Sequence, residues 1–473
     1  MTVSSLKRFL IASPAILTLA ACAVGPKAPE ADILPSASGA FVSAPTSTAI
    51  TASEARDDWW RLYDDPVLDE LVVQAFAKNN QLEAAEANLR AVRASLSEAR
   101  AGRLPTTGLS ASASRSQGST ATSLTGTQPQ ETEVYDVGFD TSYEIDLFGR
   151  VGSSIRAARA DAEAQAAALD VIRVSVAAET ARAYADACSA NAQIAVAERT
   201  LGLQQNTADL TRRLLEGGAG TGLDTARAQA ALAGTRATLP SLRAQRDGAL
   251  YRLATLTGRT PMESSEAARA CVRPPQLSQP IPIGDGAALI ARRPDVRQAE
   301  RALAAAAARV NVATAALYPS ISLGGSFGST ALDGGDLGDD QNYRFSFGPL
   351  IGWSFPNIAV ARARIAQTGA LTEAALATFD QTVLTALQET ETGLSNYANE
   401  LDRRAALTEA RDQAAVAARL SRLRFDAGAD SFLTVLDAER TLAQSDAALA
   451  QSDALVTTYQ IALFKALAGG WKG

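Results

Sequence analysis

Four short stretches of the chain alternate apolar and polar residues, the pattern of β-strands whose two faces meet different surroundings. In the sharpest stretch, 343–355, tyrosine, phenylalanine, isoleucine and tryptophan share one parity, while arginine, serine and glycine lie on the other. The stretch 137–145 follows the same rule, and 109–114 and 321–324 follow it more weakly. Alternation over about ten residues, with aromatic side chains on the apolar face, is typical of a transmembrane β-barrel strand. A soluble sheet with one wet face fits the pattern equally well.

Two runs of roughly 70 residues, 151–217 and 359–426, contain no proline and carry alanine at most of their apolar positions. Leucine, valine, arginine and glutamate fill the remaining positions, a blend typical of coiled coils and long helices. At about 1.5 Å per residue, each run predicts a helix of roughly 100 Å. A soluble helical bundle would explain these runs but would not explain the strands.

The chain contains an internal tandem duplication. Residues 213–224 return as 422–433, and three turn residues recur with one offset of 210: Gly218 as Gly428, Thr221 as Ser431 and Leu223 as Leu433. Each half runs in the order helix, strand, spacer, strand, long helix, glycine turn, long helix. We therefore divide the chain into a signal peptide (1–21), a first repeat (22–258), a linker (259–284) and a second repeat (285–473). Because bacterial barrels have at least eight strands, four strands predict a barrel shared by several chains.

The N-terminus has the three regions of a secretory signal. Lys7 and Arg8 precede an apolar run at 9–19, which is too short to span a bilayer as a helix. The run ends in Leu-Ala-Ala-Cys, which resembles the bacterial lipoprotein box, so we expect Cys22 to become the first mature residue and to carry lipid. A plain signal peptide that happens to contain a cysteine is the alternative. Ala23 is not the aspartate that retains lipoproteins at the inner membrane, so we expect the outer membrane.

Composition argues against an enzyme and against nucleic acid as a partner. The chain carries 44 basic and 51 acidic residues, a net charge of −7, and acidic chains rarely bind nucleic acid. It has no histidine, which removes the commonest general base and the commonest metal ligand. The glycine-rich stretch 217–220 lacks the lysine of a phosphate-binding loop. We expect no catalytic residues, no cofactor and no metal.

Two cysteines remain after Cys22. Cys188 lies in the first long helical run, and Cys271 lies in the proline-rich linker. In an oxidising compartment we expect such a pair to be bridged. Two unconnected thiols are the alternative, because sequence separation does not determine the distance between Cα atoms.

Several motifs carry a family resemblance. They lie at 58–66, 104–105, 143–150, 292–297, 433–438 and 465–471. Together they resemble the TolC-like outer-membrane efflux lipoproteins, and more narrowly the OprM and nodulation-type branch that works with resistance-nodulation-division pumps. The resemblance implies a mostly α-helical homotrimer. Four strands from each chain would form a twelve-stranded β-barrel in outer-membrane lipid, continued by a periplasmic α-helical barrel and surrounded by an equatorial domain.

The resemblance also assigns the duplicated turns. In the family these turns lie at the periplasmic tips of helix pairs, where the tunnel closes and the adaptor protein docks. It thus implies tip and docking roles for Gly218, Thr221, Leu223, Gly428, Ser431 and Leu433. The glycines suit the turns, and Thr221 and Ser431 are expected to be N-caps of the returning helices. Hairpin geometry alone would explain the glycines.

Four further residues are candidates for the gate. The resemblance implies this role for Asp224, Asp430, Leu436 and Asp437. The chain departs from the TolC latch, however, since Phe425 and Asp430 replace its tyrosine and arginine, and Thr434 replaces an aspartate of the constriction. We therefore expect closure by packed leucines, with Leu436 as one plug. Three copies of Asp430 or Asp437 facing one axis would repel one another and favour opening.

The function implied is an outer-membrane channel of a tripartite efflux pump, which conducts small toxic compounds passively after opening by an adaptor and an inner-membrane pump. Two alternatives remain open. One is the outer-membrane duct of a type I protein-secretion system, which shares the fold. The other is a structural envelope lipoprotein that conducts nothing. The sequence does not identify the exported compound.

Overall fold

The structure is a computed structural model that describes residues 24–27, 29, 32–33, 35–43, 49–123, 126–277, 279–354 and 358–468. Its α-helices are α1 (Pro66–Lys78), α2 (Asn80–Ala101), α3 (Arg150–Glu216), α4 (Gly222–Leu256), α5 (Glu266–Arg269), α6 (Gly286–Arg292), α7 (Pro294–Ala315), α8 (Ile358–Asp426) and α9 (Phe432–Ala466). Its strands are β1 (Ile50–Thr51), β2 (Thr106–Ser116), β3 (Thr132–Ile145), β4 (Ile281–Pro282), β5 (Ser320–Ala331) and β6 (Tyr343–Gly352). None of the described helices is both long and apolar enough to cross a membrane.

The two long helices confirm the prediction from the proline-free runs. Helices α3 and α8 contain 67 and 69 residues, and each is followed, after a short turn, by a helix of 35 residues. The first of these 35-residue helices, α4, contains Pro240 in its interior and continues past it. Each half of the chain therefore has two shorter helices, two strands and a long hairpin of helices, in the predicted order.

Contacts between Cα atoms divide the chain into two units. The first comprises Leu89–Gln165, Gln298–Phe379 and the described residues before Asp32. The second comprises Asp32–Asn88, Ala166–Arg297 and the described residues from Asp380 onward. Each unit takes segments from both halves of the sequence. The two sequence repeats, bounded at 258 and 285, divide the chain differently from these units, and their boundaries stay predictions.

The first unit contains a four-stranded antiparallel sheet with the order β2-β3-β5-β6. Its register places Leu109, Phe139, Phe327 and Phe345 in one row across all four strands. Leu109 and Phe345 are exposed over 80% and 84% of their surface, so none of the described residues covers this apolar face. The two-faced sheet confirms the alternation read from the sequence.

The opposite face of this sheet is polar. Arg344 on β6 donates hydrogen bonds to Asp136 on β3, with Nη2···Oδ2 at 2.7 Å, and its Nε lies 3.0 Å from the Thr330 hydroxyl on β5. Arg344 itself lies in the row of Ser110, Gly138 and Gly328. Apart from Val134 and Leu350, this face carries small and polar residues, and the aromatic side chains of the four strands lie on the other face.

The core of the second unit is built around the segment that follows β1. Trp59 is fully buried and stacks on Phe464 of α9, with ring centroids 4.8 Å apart. Strand β1 pairs in parallel with β4, Ile50 opposite Ile281. These strands have two residues each, too few for a detectable alternation, so the sequence did not predict the pair. The linker at 259–284 is thereby joined to the core.

A disulfide fastens the linker to the long helix α3. Cys188 on α3 is buried and is bonded to Cys271, with the Cα atoms 5.1 Å apart. The Asn191 side-chain amide, one turn further along α3, donates to the backbone carbonyls of Arg269 and Cys271 at 2.9 and 2.8 Å. Covalent and hydrogen bonds therefore hold the same stretch of linker.

The arginine motif at 292–297 holds the end of the last helix. The buried Arg293 donates to the carbonyl oxygen of Ala466 at 2.9 Å and to the carboxylates of Asp295 and Glu389 at 2.6 and 2.8 Å. Its neighbour Arg292 forms an ion pair with Asp57. A cation near the last carbonyls of a helix is stabilising. Through these contacts the motif joins the end of α9, helix α8 and the segment around Asp57, which are distant from one another in sequence.

Candidate functional site: the turns of the helical hairpins

The first glycine turn ends helix α3 with a two-hydrogen-bond cap. The N–H of Ala219 donates to the carbonyl of Leu214 at 2.8 Å, and the N–H of Gly218 donates to that of Leu215 at 3.0 Å. Gly218 has φ of 72°, a left-handed conformation that only glycine adopts without cost. This is the Schellman arrangement of helix C-termini.

The second turn repeats this geometry at the end of α8. Gly428 has φ of 71°, and the N–H of Ala429 donates to the carbonyl of Arg424 at 2.8 Å. A Cβ atom at either glycine would meet no other atom within 4 Å. Glycine is therefore required by the backbone angle rather than by a lack of space, and the duplication preserves the conformation of the turn.

The two returning helices begin differently. The Thr221 hydroxyl accepts a hydrogen bond from the N–H of Asp224 at 3.2 Å and lies 2.6 Å from the Asp224 carboxylate, so Thr221 caps α4. Ser431 occupies the same position before α9 but makes no side-chain cap hydrogen bond. Its hydroxyl lies 3.3 Å from that of Thr434 instead. Both residues thus lie at the predicted N-cap positions, but only Thr221 makes the capping hydrogen bond.

The acidic candidates have partners within the chain. Asp430 accepts from Nε of Arg424 at 2.7 Å, across the second turn. Asp437 is more exposed, and its closest cation is Arg440 at 3.6 Å. Asp224 is engaged by Thr221. Asp437 is therefore the one of the three carboxylates that forms no hydrogen bond with a described residue, and the ring of like charges stays a prediction.

Apolar side chains pack beside the second turn in what we call the tip cluster: Leu201, Ala208, Ala228, Leu232, Phe425, Phe432 and Leu436. Phe425 meets Phe432 edge to face, with ring centroids 5.9 Å apart. Leu436, the candidate plug, is half-buried in this cluster. Leu223 and Leu433 are exposed over 59% and 42% of their surface. These two leucines are free to meet another molecule.

A polar bridge that the sequence did not reveal joins the two hairpins near the tip cluster. The Thr207 hydroxyl on α3 donates to the Glu439 carboxylate on α9 at 2.9 Å, and Nη1 of Arg422 on α8 lies 3.5 Å from the same carboxylate. Burial raises the pKa of the Glu439 carboxyl, while the Thr207 hydrogen bond and the Arg422 charge oppose that rise. Glu439 lies only two residues after Asp437, but its partners lie on other helices.

The described residues offer two glycine turns, exposed leucines and a half-buried polar bridge. No group of three acidic or cysteine side chains among them could hold a metal ion. The family comparison gives this geometry a context. A model of the outer membrane efflux protein family matches residues 71–259 and 287–469, one stretch in each half. The chain belongs to this family.

Individual relatives agree with the family match. The chain is 30% identical over 477 residues to the pyoverdine export outer membrane protein OpmQ of Pseudomonas putida, covering 99% of this chain and 98% of OpmQ. The solved structure of the outer-membrane channel OprN is 35% identical, with a TM-score of 0.90, and the match covers 96% of this chain and all of OprN. The open state of the MtrE channel of Neisseria gonorrhoeae is 27% identical, with a TM-score of 0.81 and coverage of 95% and 98%.

These likenesses confirm the family resemblance, the fold class and the outer-membrane location predicted from the sequence. The protein is an outer-membrane efflux protein with the fold of OprN. Its relatives are channel proteins, not enzymes. The comparisons do not test the lipid anchor, and Cys22 and the signal at 1–21 are not among the described residues. Phe355 and the part of the last motif after residue 468 also lie outside the described residues.

Proposed function

We propose that three copies of this chain form the passive outer-membrane channel of a tripartite efflux pump. The observation that carries the proposal is the sheet with one exposed aromatic face. Its edge strands, β2 and β6, each have a partner on one side only within the described chain. Three such sheets joined edge to edge make twelve strands, which satisfies every edge and turns the apolar faces towards lipid.

The relatives support the channel and suggest what passes through it. OpmQ is named for pyoverdine export, and the MtrE structure is of an open channel. For this chain we propose small toxic compounds as cargo, driven by an inner-membrane resistance-nodulation-division pump. A periplasmic adaptor would dock at the glycine turns. Leu223 after the first turn and Leu433 after the second offer exposed apolar contacts there.

The first experiment tests which face of the sheet meets lipid. Phe345 and Ser346 are neighbours on opposite faces, so Phe345→Lys and Ser346→Lys place the same charge on the two sides. A lysine on the lipid face costs about 2–4 kcal/mol near the bilayer midplane. We expect Phe345→Lys to reduce outer-membrane insertion strongly and Ser346→Lys to insert normally, as measured by heat-modifiable migration of membrane fractions.

The second experiment tests assembly and conduction. The protein in mild detergent should have roughly three times the mass of the 49.2 kDa chain by light scattering with detergent subtracted. It should also conduct ions in a planar bilayer. A monomer, or a trimer that passes no current, would contradict the proposal, and the second result would favour a structural lipoprotein. Copurification with a type I secretion ATPase would favour the protein-secretion duct.

The anchor at Cys22 is part of the same proposal. Lipid on its sulfur and amino group would tether the mature N-terminus to the outer membrane. Intact-mass spectrometry should show acyl chains on the wild type and none on Cys22→Ser. An unmodified Cys22 in the wild type would remove the anchor from the proposal without affecting the channel.

A further inference from the structure

A cavity of 590 Å³ lies in the first unit, between the beginning of α3, the end of α7 and the beginning of α8. Three arginines line it, Arg150, Arg309 and Arg364, together with one acidic residue, Asp161. The charge of the lining is therefore positive. The cavity shares no residue with the hairpin turns or the tip cluster.

The three arginines differ in how their charge is balanced. Arg150 donates from Nε to Glu144 at 2.8 Å, and Arg309 donates from Nη2 to Asp161 at 2.6 Å. The guanidinium of Arg364 has no carboxylate or other hydrogen-bond acceptor among the residues that the structure describes. One full positive charge with five donors is thus left beside the cavity.

Neutral donors in the lining complement that charge. The side chains of Ser154 and Gln367 line the cavity and form no hydrogen bond with any other described residue. Alanines, Val312 and Thr368, whose hydroxyl donates to the backbone carbonyl of Arg364, complete the wall. Arginine recognises phosphate through paired N–H donors, and neutral hydroxyl and amide groups add to such a site. The chemistry of the lining therefore suits a phosphate group.

The place of the cavity in the chain suggests where the phosphate comes from. Arg150 follows the end of β3 at Ile145, and Ala316 precedes the start of β5 at Ser320, so the cavity lies where strands give way to helices. Phe148 and Tyr318 stack beside this junction, with ring centroids 4.6 Å apart. Aromatic residues at strand ends mark the headgroup level in transmembrane barrels.

We propose that this cavity binds the phosphate of a phospholipid head group, with Arg364 as its principal contact. The inference rests on the proposed function, because it takes the four strands to span the membrane. Basic pockets at the membrane surface hold lipid head groups by the same attraction. A bound lipid would fasten the strand–helix junction to the leaflet on the helical side.

The test measures phosphatidylglycerol binding to the full-length protein, delipidated in detergent, by native mass spectrometry. Arg364→Ala should weaken binding about fivefold, the effect of one basic residue near a lipid surface. Arg362→Ala is the matched control, since Arg362 is exposed on the same helix but does not line the cavity. We expect Arg362→Ala to bind like the wild type.

Three results would overturn the inference. Equal phosphatidylglycerol binding by all three proteins would show that Arg364 holds no lipid. Binding of inorganic phosphate that depends on Arg364, with lipid binding unchanged, would identify a free-phosphate site. Loss of the trimer in Arg364→Ala, again with lipid binding unchanged, would identify an acidic group of a second copy as the partner of Arg364.

Planar-bilayer conductance of the same wild-type preparation separates this inference from the proposed function. A conducting trimer with no Arg364-dependent lipid binding refutes the site and leaves the channel intact. A protein that fails to conduct refutes the channel, and Arg364-dependent lipid binding in that preparation would still support the site.

Discussion

Replacing Gly428 should disable efflux while leaving the protein in the outer membrane. Gly428 has φ of 71°, and a Cβ atom there would meet nothing within 4 Å. The cost of a side chain is therefore the cost of the backbone angle alone. For ordinary residues a left-handed conformation costs about 1–2 kcal/mol, and strained positions cost about 1–3 kcal/mol. For valine, which is β-branched, we take about 2 kcal/mol.

That penalty predicts a graded effect across a series of Gly428 variants, which amide hydrogen exchange at the turn can measure. About 2 kcal/mol corresponds to a roughly 30-fold shift in the equilibrium between formed and opened turn. The Ala429 N–H, which donates to the Arg424 carbonyl at 2.8 Å, should exchange with solvent roughly 30-fold faster in Gly428→Val. Gly428→Ala should lie between valine and wild type, and Gly428→Asn should lie closest to wild type, because asparagine tolerates this angle.

The functional assay is efflux by cells that contain the complete pump, with outer-membrane abundance measured in parallel. We expect Gly428→Val to lose efflux at normal abundance. Gly222→Val is the control, since Gly222 begins α4 with open space and no positive φ. Wild-type efflux together with wild-type exchange at Ala429 in Gly428→Val would refute the reasoning. Faster exchange with normal efflux would show that the turn is not a docking or gating element.

Three further predictions concern the disulfide, the Glu439 bridge and the acidic ring. Replacing Cys188 and Cys271 by alanine should destabilise the second unit by about 2–4 kcal/mol, because the bond closes a loop of 83 residues; limited trypsinolysis should then cut the linker sooner, and unchanged cleavage would contradict a structural role. Burial raises the pKa of the Glu439 carboxyl above its ordinary value of 4.5. The protonated carboxyl therefore contributes its full stabilisation of the folded state below pH 4.5, and this stabilisation is lost as the pH rises through the raised pKa. Glu439→Gln cannot ionise, so the thermal midpoint of wild type should fall relative to the variant as the pH rises above 4.5, and a parallel pH dependence of the two midpoints would exclude a titrating bridge. Asp437→Ala should change the resting conductance at low salt, where screening is weakest; identical conductance would leave closure to apolar packing.

Periodicity predicted the architecture well where side chains contrast strongly. The aromatic positions of β6 and the proline-free run of α8 placed those elements within a few residues of their observed bounds. The weaker strands were predicted too short, 109–114 against Thr106–Ser116 and 321–324 against Ser320–Ala331. Serine, threonine and glycine fill most of the missing positions, and these residues give little contrast between the two faces.

Contacts between distant segments were beyond the sequence. The Glu439 bridge depends on Thr207, which lies 232 residues away, and helical periodicity cannot align side chains on separate helices. The sequence located Ser431 at the N-cap of α9 but could not show that its hydroxyl lies near the hydroxyl of Thr434 instead of capping the helix. Local pattern predicts elements, whereas partners are decided by packing.

The two glycine turns have the same backbone conformation, but different side-chain interactions stabilise them. Thr221 holds the first through a hydroxyl cap, whereas the second is spanned by the exposed ion pair of Arg424 with Asp430. Salt shortens the reach of exposed charges to roughly 3 Å at 1 M but leaves a hydroxyl cap unaffected. In a trimer, six turns of equal shape would therefore divide into three that respond to ionic strength and three that do not. The periplasmic end of the protein would have the geometric symmetry of a hexamer and the chemical symmetry of a trimer.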